Sequence, residues 1–387
     1  MGKWREERIE KMRESTIFQK LLPVILVLFL VAALTGCGKK SDEKKAGDTA
    51  AETVTETVSE ADTEDAGTED AEAAEDRTAE EQTEAAVETD EDPVTVRVGS
   101  LKGPTTMGLV NLMLNAEEGS AEGLYDFRME TQPDVIVSAF AGGELDIALI
   151  PANLASVLYN KTSGNAEVIC INTLGVLYCV TGDDSIHSVK DLSGKTVLST
   201  GQGATPEYAL NYLLKENGVT DCNVEFKSEA TEIAALLQED PDQVAILPQP
   251  FVTVAEMQND QLTTAFSLTD EWDALGNDSQ FLTGVTVVRK EFLEQHRAAV
   301  EIFLRDAEKS ASRAVNDVPG TAELVVKYGI IEKDAVASKA LPECGICHIT
   351  GEEMKKALGG YLQVLFEQDA KAVGGSLPAD DFYYMSE

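Results

Sequence analysis

The chain has 387 residues, 69 of them Asp or Glu against 31 Lys or Arg, for a formal net charge of −38. A surface that negative repels a phosphate backbone, which excludes nucleic acid as a partner. Six cysteines and three histidines show no spacing suited to a zinc site, and neither a GxSxG elbow nor a GxxxxGK[ST] loop occurs, so the sequence reads as a protein that is not an enzyme and needs no cofactor or metal.

In chain order, Lys3, Arg5, Arg8, Lys11, Arg13 and Lys20 precede the apolar run "LLPVILVLFLVAAL" at residues 21–34. A basic flank before an apolar core predicts a signal peptide, and 14 residues fall short of the roughly 20 that a spanning helix needs. The run ends in "LTGC", which resembles a bacterial lipobox; Cys37 is then the lipidated first residue of the mature protein, at the outer face of the cell membrane. Residues 38–93 hold 21 acidic and five basic residues and no aromatic. Such a segment buries too little apolar surface to offset its ordering entropy and is expected to be a disordered acidic tether; a flexible coil of its length spans on the order of 40 Å, and its like charges favour extension.

Residues 94–387 keep 44 acidic and 20 basic residues and are long enough for proper cores. "VTVRVGS" alternates like a strand, and "GPTTMGLVNLMLNAEEG" follows with helical spacing. "YDFRMET", "PDVIVSAFAGG", "LDIALIP" and "ANLASVLYNKT" repeat this strand–helix unit, and "AEVICINTLGVLYCVTG" reads as one long strand region. The pattern restarts at "VKDLSGKTVLST" and runs through "GATPEYALNYLLKENG", "NVEFKSE", "ATEIAALLQED", "QVAILPQP" and "FVTVAEMQND", which predicts a second α/β sheet. After the Val- and Thr-rich strand "QFLTGVTVVRKEF" the chain turns helical to its end.

"DIALIPANLASVLY", "VKDLSGKTVLSTGQGATPEYALNYLLKENGV", "AILPQPFVTVAEM" and "GEEMKKALGGYLQVLFEQDAKAVGGSLPADDFYY" together resemble ABC-importer substrate-binding lipoproteins of the nitrate, sulfonate, taurine and thiamine-pyrimidine (NMT1-like) type. The resemblance implies a two-lobed α/β fold of the periplasmic-binding type II class. Residues 94–180 would begin lobe 1, 181–283 form lobe 2 and 284–387 return to lobe 1, with crossings near residues 177–182 and 282–287. It also implies a lipid-anchored monomer that closes on a small-molecule solute and hands it to ABC permease subunits. Alternatives are a receptor signalling to a sensor and an enzyme on the same fold; the related fungal pyrimidine synthase needs a cysteine cluster with histidine that this chain lacks.

In open α/β sheets ligands bind beyond the carboxyl ends of strands, where helices begin with unpaired N–H groups. Three loops have that form: "GPTTMG" with Thr105, Thr106 and Met107, "PANLAS" with Asn153, and "GQGATPEY" with Gln202, Ala204 and Thr205. Gln249, between prolines, is a fourth candidate contact. Each has a competing reading as a helix cap or turn former. Trp272 could cover the cleft or sit in a surface turn. Apart from Lys102 no cation stands at these positions, so a sulfonate, a nitrate, a pyrimidine or another neutral or zwitterionic solute all remain open.

"CGICH" at residues 344–348 has the CxxCH form of c-type haem attachment. It lies in a stretch that resembles the ordinary C-terminal connector of a binding protein, so His348 is expected to pack and haem is the weakest reading. A Cys344–Cys347 disulfide is plausible outside the cell, although so tight a loop is often strained. With Cys170, Cys179 and Cys222, and with Cys37 acylated, the thiol count is odd.

Overall fold

The computed structural model describes residues 94–277 and 279–385. The signal peptide, Cys37 and the acidic tether lie outside the described residues. The chain opens with β1 (Thr95–Leu101), α1 (Pro104–Met107), α2 (Val110–Glu117), β2 (Leu124–Glu130), α3 (Pro133–Ala141), β3 (Ile147–Pro151), α4 (Ala152–Lys161) and β4 (Glu167–Leu174). A second series follows: β5 (Leu177–Thr181), β6 (Thr196–Ser199), α5 (Thr205–Glu216), β7 (Asn223–Phe226), α6 (Ala230–Glu239), β8 (Val244–Pro248), α7 (Phe251–Gln258), β9 (Thr263–Ser267) and α8 (Leu268–Asp273). The rest comprises β10 (Leu282–Val288), α9 (Lys290–Gln295), α10 (Arg297–Asn316), α11 (Val318–Lys327), α12 (Asp334–Ala340), β11 (Ile346–Ile349) and α13 (Gly351–Gln368).

These strands form two sheets, one ordered β11-β4-β10-β3-β1-β2 and the other β7-β6-β8-β5-β9. In the first, β1 pairs in parallel with β2 and β3, while β10 returns antiparallel between β3 and β4. The two-residue period of β3 sends Ile147 and Leu149 to one face and Ala148 and Ile150 to the other. The first pair packs with Leu112, Phe292 and Phe303 of α2, α9 and α10. The second packs with Phe140 of α3, Leu158 of α4 and Leu362 of α13. The C-terminal helices therefore cover a sheet that the N-terminal segments leave half bare. In the second sheet, β8 does the same: Ile246 packs with Ala209 and Leu213 of α5, and Ala245 and Leu247 pack with Ile233 and Leu237 of α6.

The segment read as one long strand divides at Gly175 into β4 and β5, which belong to different sheets. A Cβ on Gly175 would stand 2.1 Å from the Thr269 hydroxyl and 2.4 Å from the Phe281 ring, so only glycine lets the backbone pass there. The first crossing thus falls at residues 175–176, just before the expected 177–182, because β5 is already a full member of the second sheet between β8 and β9. The second falls at residues 275–281, before rather than within β10.

A buried ion cluster ties the end of β10 to β1. The Asp146 carboxylate, 2 % exposed, accepts from the Arg97 backbone N–H at 3.0 Å and from the Arg97 and Arg289 guanidiniums at 2.5 and 3.1 Å. Burial works to raise the Asp146 pKa, but these donors outweigh it and hold the carboxyl below its ordinary value.

Candidate functional site

The carboxyl ends of β1, β3, β6 and β8 carry the four expected loops, and the side chains there divide into two groups. In the first lobe most are turned inward. The Thr105 hydroxyl donates to the Leu101 carbonyl at 2.9 Å, and the Thr106 hydroxyl lies 2.5 Å from the same carbonyl and 2.7 Å from the Ser100 hydroxyl. Met107 is fully buried with Val110, Ala322 and Val325. These three residues fix α1 on β1; the expected contacts of Thr106 and Met107 are used up by packing. Asn153 is buried, its amide donating to the Ala372 carbonyl at 3.4 Å. Gln249 is also buried, and its side-chain oxygen accepts from the Thr253 hydroxyl at 2.9 Å, so it ties down the first turn of α7.

What remains open is backbone at Gly103 and, in the second lobe, the loop before α5. Gly103 (φ 142°) and Gly203 (φ 73°) adopt conformations that other residues rarely take, and both have empty space where a Cβ would stand. Gln202 is exposed, and Ala204 precedes α5 without any side-chain cap. Thr205, the first residue of α5, is 7 % exposed, and its hydroxyl has no hydrogen-bond partner.

Opposite Thr205 stands an aromatic group that joins the two sheets. Trp272 of α8 is fully buried, which corrects both its expected surface position and a role as a cleft cover. It stacks on Phe281 at 5.5 Å and touches Tyr212 of α5 at 4.6 Å and Tyr361 of α13 at 5.8 Å. Its indole N–H donates to the Ser279 hydroxyl at 2.9 Å, and the Asn277 amide donates to the Tyr212 hydroxyl at 2.7 Å, so both partners of the second crossing are pinned. The Tyr361 hydroxyl is completely buried and has no partner of ordinary geometry. Burial pushes its pKa up, an effect the neighbouring Thr205 hydroxyl opposes. Sequence reading missed Tyr361, because Met354, Leu358, Tyr361, Leu362 and Leu365 form an ordinary buried helix face.

The first crossing is held by the connector around residue 345. The Leu174 N–H donates to the Gly345 carbonyl at 2.8 Å, and the Gln249 N–H donates to the Val176 carbonyl at 3.0 Å. Beside it, the Lys339 ammonium of α12 meets Glu256 of α7 at 3.2 Å.

The "CGICH" segment has no arrangement for haem. Cys344 is buried in the apolar cluster of Met107, Ala340 and Leu341, while Cys347 sits in β11 with its thiol 3.4 Å from the Ile171 carbonyl. All five cysteines of the described part are free, so the plausible Cys344–Cys347 disulfide is not formed. Burial pushes both thiols up to about 12. His348 does more than pack: its Nδ1 lies 3.3 Å from the Cys170 sulfur, beside a cavity of about 20 Å3. Among the described residues no group of three or more His, Cys, Asp or Glu side chains could hold a metal ion, and no helix is long and apolar enough to cross a membrane.

Residues 131–320 match the family model described as NMT1/THI5 like. The likeness to that family lies in this stretch. It runs from the start of α3 through the whole second sheet into α11, and so includes both crossings. No curated protein matches the chain. An ABC transporter structure from Parabacteroides distasonis superposes with a TM-score of 0.65 at 23 % identity, covering 76 % of this chain and 99 % of that one. The periplasmic aliphatic sulphonate binding protein SsuA from Escherichia coli superposes with a TM-score of 0.60 at 13 % identity, over 76 % and 94 % of the two chains. The ligand binding component of an ABC-type import system from Staphylococcus aureus, solved with zinc bound, gives 0.58 at 17 % identity over 75 % and 96 %. At these identities the likeness is one of fold: the matched stretch and its flanking segments have the two-lobed α/β architecture of periplasmic binding proteins.

Proposed function

We propose that this protein is an extracytoplasmic solute-binding protein that delivers a small polar solute to an ABC importer by closing two lobes on it. The observation that carries this reading is the pair of open loops at Gly103 and Gly203, which stand at the carboxyl ends of β1 and β6 in different sheets with space in front of each backbone. The helix α5 begins at the second of them with no side-chain cap from Ala204; Glu207 accepts from the Gly203 N–H and Pro206 has none, which leaves the Thr205 and Glu207 N–H groups for a solute oxygen. The solute contacts are the backbone at Gly103, Gln202, Ala204 and Thr205, with Thr105 and Asn153 at the edge and Gln249 behind α7.

Solved proteins of the same fold whose names describe solute binding and import support the transport role. Cys37 carries the lipid anchor, residues 38–93 are the tether, and the two lobes move as a monomer about residues 175–176 and 275–281 while docking on permease subunits. The chain carries out no catalysis in this role.

Two measurements test the reading. Radiolabelled palmitate is incorporated by the parent and not by Cys37→Ala; incorporation that survives the substitution removes the anchor. The mature chain, denatured and refolded to strip carried solute, regains stability when the solute identified by mass spectrometry is returned, by about 2.7 kcal/mol at 100 times its dissociation constant. Absence of any stabilising solute removes the transport role.

A further inference from the structure

Six buried side-chain polar atoms lack a hydrogen-bond partner among the described residues, and three of them are hydroxyls at the junction of the lobes: Thr205, Tyr361 and Thr283. Thr205 opens α5 at the end of β6. Tyr361 comes from α13, on the other side of the junction, and lies close enough to Thr205 to respond to its hydroxyl. Thr283 is the second residue of β10, whose Gly284 is in register with Pro151 at the carboxyl end of β3, level with the start of α4. A buried hydroxyl left without a partner costs free energy, and Thr205 and Tyr361 have at most one another, so an acceptor reaching both would relieve both. Packing alone does not require them: phenylalanine fills the space of Tyr361 and valine that of Thr205 without an orphaned oxygen.

We infer that Tyr361 and Thr205 form one subsite of the solute cleft and together hold an oxygen atom of the solute, with Tyr361 as the residue that selects for it. The inference rests on the solute-binding reading and adds to it a residue from the C-terminal helix and a chemical class. Hydroxyls donate to an oxygen acceptor, whether an oxyanion such as a sulfonate or nitrate or a carbonyl such as that of a pyrimidinone. The Thr205 and Glu207 N–H groups at the start of α5 donate to the same partner, while the Glu207 carboxylate is engaged by the Gly203 N–H. Hydroxyls can also accept, so discrimination against a cation comes from the backbone N–H groups at the start of α5, which only donate. Because Tyr361 also touches Trp272 and Phe281 at the second crossing, a solute held here bridges both lobes near the pivot.

The test uses the mature chain in detergent, stripped by denaturation and refolding, with methanesulfonate, nitrate, uracil and tetramethylammonium as probes and dissociation constants from thermal shift and calorimetry. At least one oxygen-bearing probe binds the parent, and Tyr361→Phe and Thr205→Val each weaken it by about five- to 150-fold. The double variant is less than additive, because both hydroxyls meet one oxygen. Equal affinities in parent and Tyr361→Phe overturn the subsite and leave the binding protein standing. So does a carried solute without an oxygen acceptor, or tight binding of tetramethylammonium alone. If no probe binds and no solute is carried, the subsite and the solute-binding reading both fall. Should Tyr361→Phe fail to fold, Thr205→Val and Thr205→Ser decide: serine retains affinity and valine loses it, and no difference between them overturns the inference.

Discussion

The hydroxyl of Tyr178, in the second sheet, donates a hydrogen bond to the carbonyl of Glu343 at 2.9 Å, in the connector that leads to β11 of the first. It bridges the two lobes beside the first crossing, where Leu174 and Gly345 are also joined. The connector that carries "CGICH" therefore braces the pivot. Tyr178→Phe is expected to lower stability by about 0.5 to 1.5 kcal/mol in urea unfolding, because the partly exposed carbonyl can turn to water. A loss above about 3 kcal/mol contradicts this assignment.

Asp146 is the most heavily bonded buried carboxylate of the first lobe, facing Arg97 and Arg289. Asp146→Asn leaves the mostly buried Arg289 guanidinium with only the exposed Glu291 carboxylate as counter-ion and is expected to cost about 3 kcal/mol at pH 7. The folded-state pKa lies below the ordinary value, burial being outweighed by the donors. The stabilisation is therefore complete above the unfolded value of about 3.9 and is lost as pH falls through the folded one. Chemical unfolding at pH 7 separates parent and variant, and the gap narrows below pH about 4.

His348 acts in the same sense, at higher pH. Burial lowers its pKa, with Glu308 of α10 opposing, while Cys170 on β4 and Cys347 beside it are thiols that stay protonated. Below pH about 6.5 the unfolded chain takes up a proton that the folded chain does not, so His348 makes stability fall on acidification until its folded pKa is reached. His348→Gln is expected to flatten stability between pH 7 and 5 relative to the parent. An unchanged slope shows that His348 is not held neutral.

Trp272 is the only tryptophan after Cys37, and it is fully buried. Emission of the mature chain is expected to be blue-shifted and almost unquenched by iodide. Trp272→Phe removes the bond to Ser279 and leaves a gap between Tyr212 and Tyr361, which is expected to cost about 2 to 3 kcal/mol. Ready quenching in the folded protein places the indole at the surface and removes its role in the second crossing.

Thiol titration separates the five cysteines of the described part. Cys222, half-buried in the second lobe, is expected to react first in the native protein, with Cys170, Cys179 and Cys344 reacting only on unfolding. Maturation in a host that attaches c-type haem is expected to give no Soret band, since Cys344 is enclosed by Ala340 and Leu341.

Local pattern alone determined the α/β class and the second sheet. The alternation of Val96 and Val98 and the apolar runs of β3 and β8 can be buried only in sheets flanked by helices. It also placed the loops at the strand ends, because Gly103 and Gly203 announce backbone that other residues rarely adopt. Tertiary structure alone decided which side chains face the cleft. Thr106 and Thr205 are the same residue type near the start of a helix, yet one hydroxyl meets Ser100 and Leu101 while the other has only the Tyr361 hydroxyl as a neighbour. Capping and ligand contact use the same chemistry, and only distances between residues far apart in sequence tell them apart. For the same reason Tyr361, 156 positions beyond Thr205, reads as core until α13 is packed against α5. Gly175 marks the other limit: periodicity runs through it without a break, and only the approach of Thr269 and Phe281 requires that the strand divide there and the chain pass to its second lobe.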